Sequence, residues 1–144
     1  MFTGAPSLSI DAKGRMAIPT RCRDTLGSEV IITACPSGCL LLFPVEAWAP
    51  FQKRVSALPN MDHKVKAMQR MWLAYRTVCE LDAAGRVVLT PEMREYANID
   101  RKVQFAPQDE HVELWSEAGW QEQIAIAKQA AREPQSPQVL GMSV

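Results

Sequence analysis

Apolar and polar residues alternate in short stretches along this chain, and in three longer stretches the spacing turns helical. Leu8, Ser9 and Ile10 alternate, a polar segment follows from Asp11 to Gly14, and Arg15 to Pro19 alternates again. Period two is the spacing of a half-buried strand. The segment therefore predicts a hairpin with the loop Ala12, Lys13, Gly14, and Gly14 stands where such a loop needs a left-handed residue. Opposed residues at a hairpin neck share a face, so Asp11 is expected to hold the Arg15 guanidinium. Val30 to Thr33 and Cys39 to Phe43 are apolar runs around Pro36, Ser37 and Gly38, and predict a second hairpin. Val103 to Ala106 and Val112 to Trp115, around Gln108, Asp109 and Glu110, predict another. Pro19 or Thr20 opens a short helix closed by Gly27, and Thr90, Pro91 and Glu92 open a second. Longer helices are predicted from Val45 to Leu58, broken at Pro59 and Asn60, then from Met61 to Arg76, and after Ser116 from Glu117 to Arg132. Val65, Met68, Met71, Trp72 and Tyr75 form a stripe at helical spacing that reads as core. Pro134 and Pro137 among small polar residues predict a frayed tail.

The first hairpin is written twice. Asp11-Ala-Lys-Gly-Arg15 recurs as Asp82-Ala-Ala-Gly-Arg86, 71 residues later. Leu8, Ile10, Met16 and Ile18 fall on Cys79, Leu81, Val87 and Leu89, and Arg23 falls on Arg94. Val30-Ile31-Ile32 falls on Val103-Gln104-Phe105, and Trp48 on Trp120. An internal repeat decides the architecture before any single element does. Two units of roughly 50 residues are each too small to bury much core alone, and each can supply the other's missing surface.

Composition narrows the function. Sixteen basic and sixteen acidic residues give a net charge of zero, which speaks weakly against a nucleic-acid binder. The charge is uneven, however. Residues 1–28 hold four basic and two acidic groups, residues 53–76 six and one, and residues 100–144 four and seven. Such asymmetry fits one nucleic-acid face, and the middle segment fits a solvated helix face equally well. No apolar run approaches a membrane span, and the start lacks the basic and apolar regions of a signal peptide, so a cytoplasmic location is expected. Cys22, Cys35, Cys39 and Cys79 are then expected to be free thiols. His63 and His111 are scattered, so no metal site is expected. No phosphate loop, dinucleotide fingerprint or nucleophile elbow is present, and neither histidine lies beside a nucleophile in sequence. The chain is not expected to be an enzyme, to carry a cofactor, or to take a small-molecule substrate.

Two copies of Asp-x-x-Gly-Arg, each followed by a short helix beginning near a proline, resemble the MraZ family of bacterial transcriptional regulators. The start Met1-Phe2-x-Gly4, the segment Asp11 to Pro19, Leu40 to Pro44, and Asp82-x-x-Gly-Arg86 followed by Arg94-Glu95-Tyr96 carry the resemblance, which spans about residues 1 to 130. Cys22 stands where an aromatic residue is usual, and Leu89-Thr-Pro91 where Leu-Pro-Pro is commoner. The resemblance implies an α+β, mostly β fold: tandem AbrB-like swapped-hairpin half-barrels, with connecting and C-terminal helices. It implies repeat one at residues 1–50, connecting helices at 51–76, repeat two at 77–121, and a C-terminal helix with a flexible tail at 122–144. It also implies a ring-shaped homo-oligomer, nucleoid-associated, that binds short direct repeats in double-stranded promoter DNA of its own division and cell-wall gene cluster.

On that resemblance Arg15 and Arg86 are the arginines at DNA. Lys13, in the first turn, and Arg21 and Arg23, on the first helix, join them as candidate contacts. Asp11 and Asp82 are the paired structural carboxylates, and Gly14 and Gly85 the turn glycines. Copy one, with Lys13, Arg21 and Arg23 around its turn, is expected to be the better DNA face than copy two, with Ala84, Glu92 and Arg94. The competing reading is an antitoxin-like protein-interaction module of the same fold. Salt separates the two, because phosphate contacts weaken steeply as salt rises and an apolar interface does not.

Overall fold

The computed structural model describes residues 5–59 and 61–142; Met1 to Gly4 of the opening motif, Asn60 of the helix break and the last two residues of the tail lie outside the described residues. In chain order the elements are β1 (Ser7–Ser9), β2 (Arg15–Ala17), α1 (Thr20–Leu26), β3 (Glu29–Ala34), β4 (Leu40–Pro44), α2 (Val45–Ser56) and α3 (His63–Ala74). The second half continues with β5 (Thr77–Glu80), β6 (Arg86–Val88), α4 (Pro91–Ala97), β7 (Lys102–Pro107), β8 (Val112–Trp115), α5 (Glu117–Ala131) and α6 (Pro137–Leu140).

β3 pairs with β4 and β7 with β8 as the two apolar hairpins predicted, but β1, β2, β5 and β6 find their partners in the other repeat. One antiparallel sheet has the order β1-β7-β8-β4-β3-β5, and β2 pairs with β6 in a separate two-stranded ribbon. β1 lies against β7 of the second repeat, with Leu8 opposite Val103, and β5 lies against β3 of the first, with Cys79 opposite Val30. Between β1 and β2 only an isolated bridge, Ile10 to Met16, remains. The first hairpin expected from the alternation is thus a turn whose two arms pair elsewhere. The reason is geometric: alternation says which face of a strand is buried, and an exchanged partner buries the same face.

Both faces of the central strands are covered. Val30 and Ile32 of β3, Leu40 and Leu42 of β4, Val103 and Phe105 of β7, and Val112 and Leu114 of β8 point into one core, shared with Met16, Ile18, Val87 and Leu89. Both repeats therefore build a single interior. Ile31, Leu41, Phe43, Ala106 and Trp115 point the other way, where Trp48 of α2 and Trp72 and Leu73 of α3 pack on them. Burying a side chain of this size contributes about 1.5–3 kcal/mol, so the loss of either layer is not tolerable for a domain this small.

The short helices are capped differently in the two repeats. Thr90 accepts the Met93 N–H at 3.2 Å, and Asn98 closes α4 in the left-handed conformation at φ 55°. At α1, Pro19 supplies no side-chain cap, and Gly27 closes the helix at φ 74°. Threonine at position 90 thus adds a cap that the first repeat lacks. Cys22 is buried in the shared core.

The apolar stripe of α3 is only partly core. Trp72 and Met71 are half-buried, whereas Met68 and Tyr75 are 44% and 43% exposed. The one fully buried residue of α3 is Gln69, whose amide donates to the carbonyls of Val55 at 2.9 Å and Leu58 at 3.2 Å, at the end of α2. The helix is rolled to place that amide over the end of α2 and the turn after it, where Val55 accepts the Leu58 N–H as well and helix-end carbonyls have spare acceptor capacity. Beyond α5 the chain forms the four-residue α6 rather than an entirely frayed end.

Candidate nucleic-acid interface

The two Asp-x-x-Gly-Arg turns have the same construction. Asp11 Oδ1 accepts the N–H groups of Lys13 at 3.0 Å and Arg15 at 2.9 Å, while Oδ2 accepts Arg15 Nε at 2.6 Å. Asp82 Oδ1 accepts Ala84 N–H at 3.0 Å and Arg86 N–H at 2.8 Å, and Oδ2 accepts Arg86 Nε at 2.8 Å. Gly14 N–H donates to the Asp11 carbonyl and Gly85 N–H to that of Asp82, each at 2.9 Å. The glycines sit at φ 80° and 76°, a region that residues with a Cβ enter only with strain. The arginine backbone N–H, followed by its guanidinium, holds each aspartate below the ordinary carboxylate value of 3.8, so both stay ionised at neutral pH. One carboxylate thereby shapes the turn and orients the guanidinium through Nε, and among the described residues the two terminal nitrogens of each arginine have no protein partner.

The ribbon places both arginines on one face. Arg15 is opposite Val88, Met16 opposite Val87, and Ala17 opposite Arg86. Met16 and Val87 are fully buried, so their neighbours face out: Arg15, Ala17, Arg86 and the 48% exposed Val88. Two residues along a strand and one strand across separate the two Cα atoms by about 8 Å.

The helices then interlock the turns reciprocally. Ile18 N–H donates to the Gly85 carbonyl at 2.9 Å, and Leu89 N–H to the Gly14 carbonyl at 2.8 Å. Arg23 Nε donates to the Ile18 carbonyl at 3.0 Å and its guanidinium lies over Gly85, where a Cβ would overlap it. Arg94 Nε donates to the Leu89 carbonyl at 3.1 Å, and its guanidinium passes 3.3 Å from where a Cβ on Gly14 would stand. The cations are therefore distributed crosswise. Arg23, grouped above with the first turn, stands at the second, and Arg94 stands at the first. Sequence neighbourhood misplaced them because α1 and α4 each lean across to the other repeat's turn. Lys13 is exposed at the tip of the first turn, and Arg21 is exposed on α1.

Two cations escaped the sequence reading. A groove of about 570 Å³ beside the first turn is lined by Asp11, Arg94, Asp100, Arg101 and Lys102, among others. Lys102 Nζ donates to Ser9 Oγ at 2.9 Å, in the β1–β7 pair where Ser9 is opposite Lys102. The matching place beside the second turn, in the β3–β5 pair, sets Glu29 opposite Glu80. The groove at turn one is thus basic and its counterpart acidic. The signal was present in the repeat alignment, where Lys102 falls on Glu29, yet it means nothing until β7 is known to lie beside β1. Among the described residues no three His, Cys, Asp or Glu side chains gather as a metal site, and no helix is long and apolar enough to cross a membrane.

A fused pair of repeats that exchange strands around one core, and present two carboxylate-oriented arginines on a shared ribbon, defines the class of protein. The family model described as "MraZ protein, putative antitoxin-like" matches residues 1–71 and again 73–140. The chain is similar to proteins named Transcriptional regulator MraZ. That of Aromatoleum aromaticum is 46% identical over 126 residues, 85% of this chain and 86% of its own. That of Azoarcus sp. is 44% identical over the same shares, and that of Thiobacillus denitrificans 34% identical over the whole of both. The chain belongs to the MraZ family.

Proposed function

We propose that this chain is a sequence-specific, DNA-binding transcriptional regulator that reads double-stranded DNA with the outer face of the β2–β6 ribbon. The observation that carries the reading is the pair of partly exposed arginines whose Nε is held by Asp11 and Asp82 while their terminal nitrogens have no protein partner among the described residues. A two-stranded ribbon fits the major groove, and arginine on the O6 and N7 of guanine is the commonest specific base contact there. A spacing of about 8 Å corresponds to between two and three base steps at about 3.4 Å each. Lys13, Arg94, Arg101 and Lys102 then lie toward the backbone at the first turn, where lysine and arginine neutralise phosphate. Arg21 and Arg23 are assigned to the second-turn side.

The fold is read as tandem AbrB-like swapped-hairpin half-barrels, supported by the exchange of β1 and β5 between repeats. The repeats are assigned to residues 1–50 and 77–121, joined by helices at 51–76 and followed by a helix and tail at 122–144. A neutral chain with few cations per module gains from repetition, since linked sites raise effective concentration. A ring-shaped homo-oligomer, nucleoid-associated and engaging short direct repeats upstream of its own division and cell-wall gene cluster, would supply it.

A second reading has an observation of its own. Ile126 of α5, Val139 and Leu140 of α6, and Met142 are exposed apolar side chains near the C-terminus, as an antitoxin-like protein-interaction module would present. A gel-shift titration on the DNA upstream of the gene, repeated at two salt concentrations, separates the readings. Specific binding that weakens steeply with salt is expected. Absence of any shift on that DNA, with the protein folded, refutes the DNA reading.

A further inference from the structure

Two of the four thiols meet at the tip of the β3–β4 hairpin, far from any role given to them above. Cys35 N–H donates to the Cys39 carbonyl at 2.9 Å, and Gly38 N–H donates to the Cys35 carbonyl at 2.9 Å. Gly38 has φ 102°, so Pro36, Ser37 and Gly38 form a three-residue loop closed by a left-handed glycine. Residues opposed at such a hydrogen-bonded position have Cα atoms about 5.5 Å apart. That separation lies inside the range of about 4.4–6.8 Å that disulfides bridge.

The side chains also point to the same place. Cys39 is buried in the outer core, and Cys35 is half-buried against that core. Ser37 Oγ lies 3.0 Å from Cys35 Sγ and 3.6 Å from Cys39 Sγ, so both sulfurs converge on one hydroxyl. The Tyr96 hydroxyl of α4 donates to the Cys35 carbonyl and also reaches Met71 Sδ at 3.2 Å, which anchors the tip to two helices. The other thiols are differently placed: Cys22 is in the shared core and Cys79 is half-buried on β5.

We propose that Cys35 and Cys39 form a redox modification site, a dithiol that closes into a reversible intramolecular disulfide by exchange with a small disulfide of the glutathione class. The Cys35 thiolate attacks one sulfur of the small disulfide, forms a mixed disulfide and releases one small thiolate. Cys39 then loses its proton to solvent and attacks the Cys35 sulfur, forming the bridge and releasing the second. One small disulfide is reduced to two thiols, and two protein thiols are oxidised to one bridge.

The roles follow from access and charge. Cys35 is the more exposed of the two, and the neighbouring Cys39 thiol, aided by the Ser37 hydroxyl, holds it below the ordinary thiol value. Cys39 is pushed up by the neighbouring Cys35 sulfur and by burial, as befits the sulfur that waits for the mixed disulfide. Glu113 of β8 works against ionisation of both and sets a limit to the effect. The bridge closes a short loop, so it gains little from loop closure and stays reducible.

The test uses the full chain, reduced, exposed to oxidised glutathione, blocked with iodoacetamide and digested with trypsin. The peptide from Asp24 to Lys53 contains Cys35 and Cys39 and no other cysteine. Expected is loss of two hydrogens from that peptide with neither alkyl group nor glutathione attached, restored by dithiothreitol, while Cys22 and Cys79 are alkylated. Cys39→Ser is expected to stop at a glutathione adduct on Cys35, with Cys39→Ala as the second variant should serine unfold the chain. Four alkylated thiols in the wild-type chain, a persistent adduct on Cys35 beside an alkylated Cys39, or a bridge to Cys22 or Cys79 would each overturn the proposal.

Discussion

Arg15→Ala tests the proposed reading most directly, because the turn keeps its backbone ties without the arginine side chain that the reading sends to DNA. Removing the side chain deletes one hydrogen bond to Asp11 Oδ2. It leaves Asp11 Oδ1 holding the N–H groups of residues 13 and 15, and leaves the Gly14 N–H on the Asp11 carbonyl. The turn therefore keeps its backbone ties. Arg15 and Asp11 are 30% and 36% exposed, and ion pairs in that setting add little to stability. The melting curve and the oligomeric size should match those of wild type. A bidentate base contact is worth about 1–3 kcal/mol, or about 5- to 160-fold in affinity at each site. The assay is fluorescence anisotropy with a labelled promoter duplex, beside thermal melting followed by circular dichroism. Arg86→Ala is expected to lose less, because Glu29 and Glu80 lie beside the second turn where Arg101 and Lys102 stand beside the first. Wild-type affinity in Arg15→Ala refutes the base contact. A loss of affinity matched by a loss of folded structure refutes the separation of roles, and equal losses in Arg15→Ala and Arg86→Ala refute the asymmetry.

Three further outcomes are expected. Gly14→Ala and Gly85→Ala each force a left-handed residue, at about 1–2 kcal/mol. Gly14→Ala should be the worse in urea denaturation, since its Cβ would stand 2.7 Å from the Leu89 backbone carbonyl, whereas at Gly85 the obstacle is the Arg23 side chain, which can swing aside. Gln69→Leu should cost about 1–3 kcal/mol by removing the buried amide's bonds to the Val55 and Leu58 carbonyls, the first of which keeps the Leu58 N–H, and an unchanged urea midpoint would contradict the cap. His111, stacked on Phe43 at 5.2 Å, is held below its ordinary 6.5 by burial, against the opposing pull of Glu113 and Glu110. Its neutral form is the one the fold favours, so its contribution is fully present above 6.5 and declines as pH falls below that value. His111→Gln should flatten the acid side of the stability profile, and an unchanged slope would count against the burial argument.

The sequence showed some layers of this molecule and concealed others. The apolar runs Val30 to Thr33 and Cys39 to Phe43 located β3, β4 and their turn, because neighbouring strands joined by a three-residue loop have little choice of partner. The exchange of β1 and β5 left no trace, because Leu8 buries the same face against Val103 as it would against a strand of its own repeat. The α3 stripe misled in a similar way. Met68 and Tyr75 have the spacing of core residues, but the amide of Gln69 turns inward to the Val55 and Leu58 carbonyls, and those two are rolled out. At the ribbon, the turn residues were legible as a motif with its own chemistry. The companions of each turn were not, since Arg23, Arg94, Arg101 and Lys102 reach their positions through pairings made across the repeats.

The crosswise interlock has a consequence for inheritance. A single repeat that paired with its own copy would carry each residue twice, and any substitution would strike both turns at once. Joined in one chain, the two halves keep the geometry of such a pair while each position is free to vary alone. Lys102 and Glu29 have done so: they occupy equivalent places and bear opposite charge. The surface flanking the ribbon has thereby acquired a direction, with Arg101 and Lys102 beside one turn and Glu29 and Glu80 beside the other. A surface with a direction favours one orientation on a duplex over its reverse. An array of such surfaces pointing the same way would match sites written head to tail rather than as mirror images.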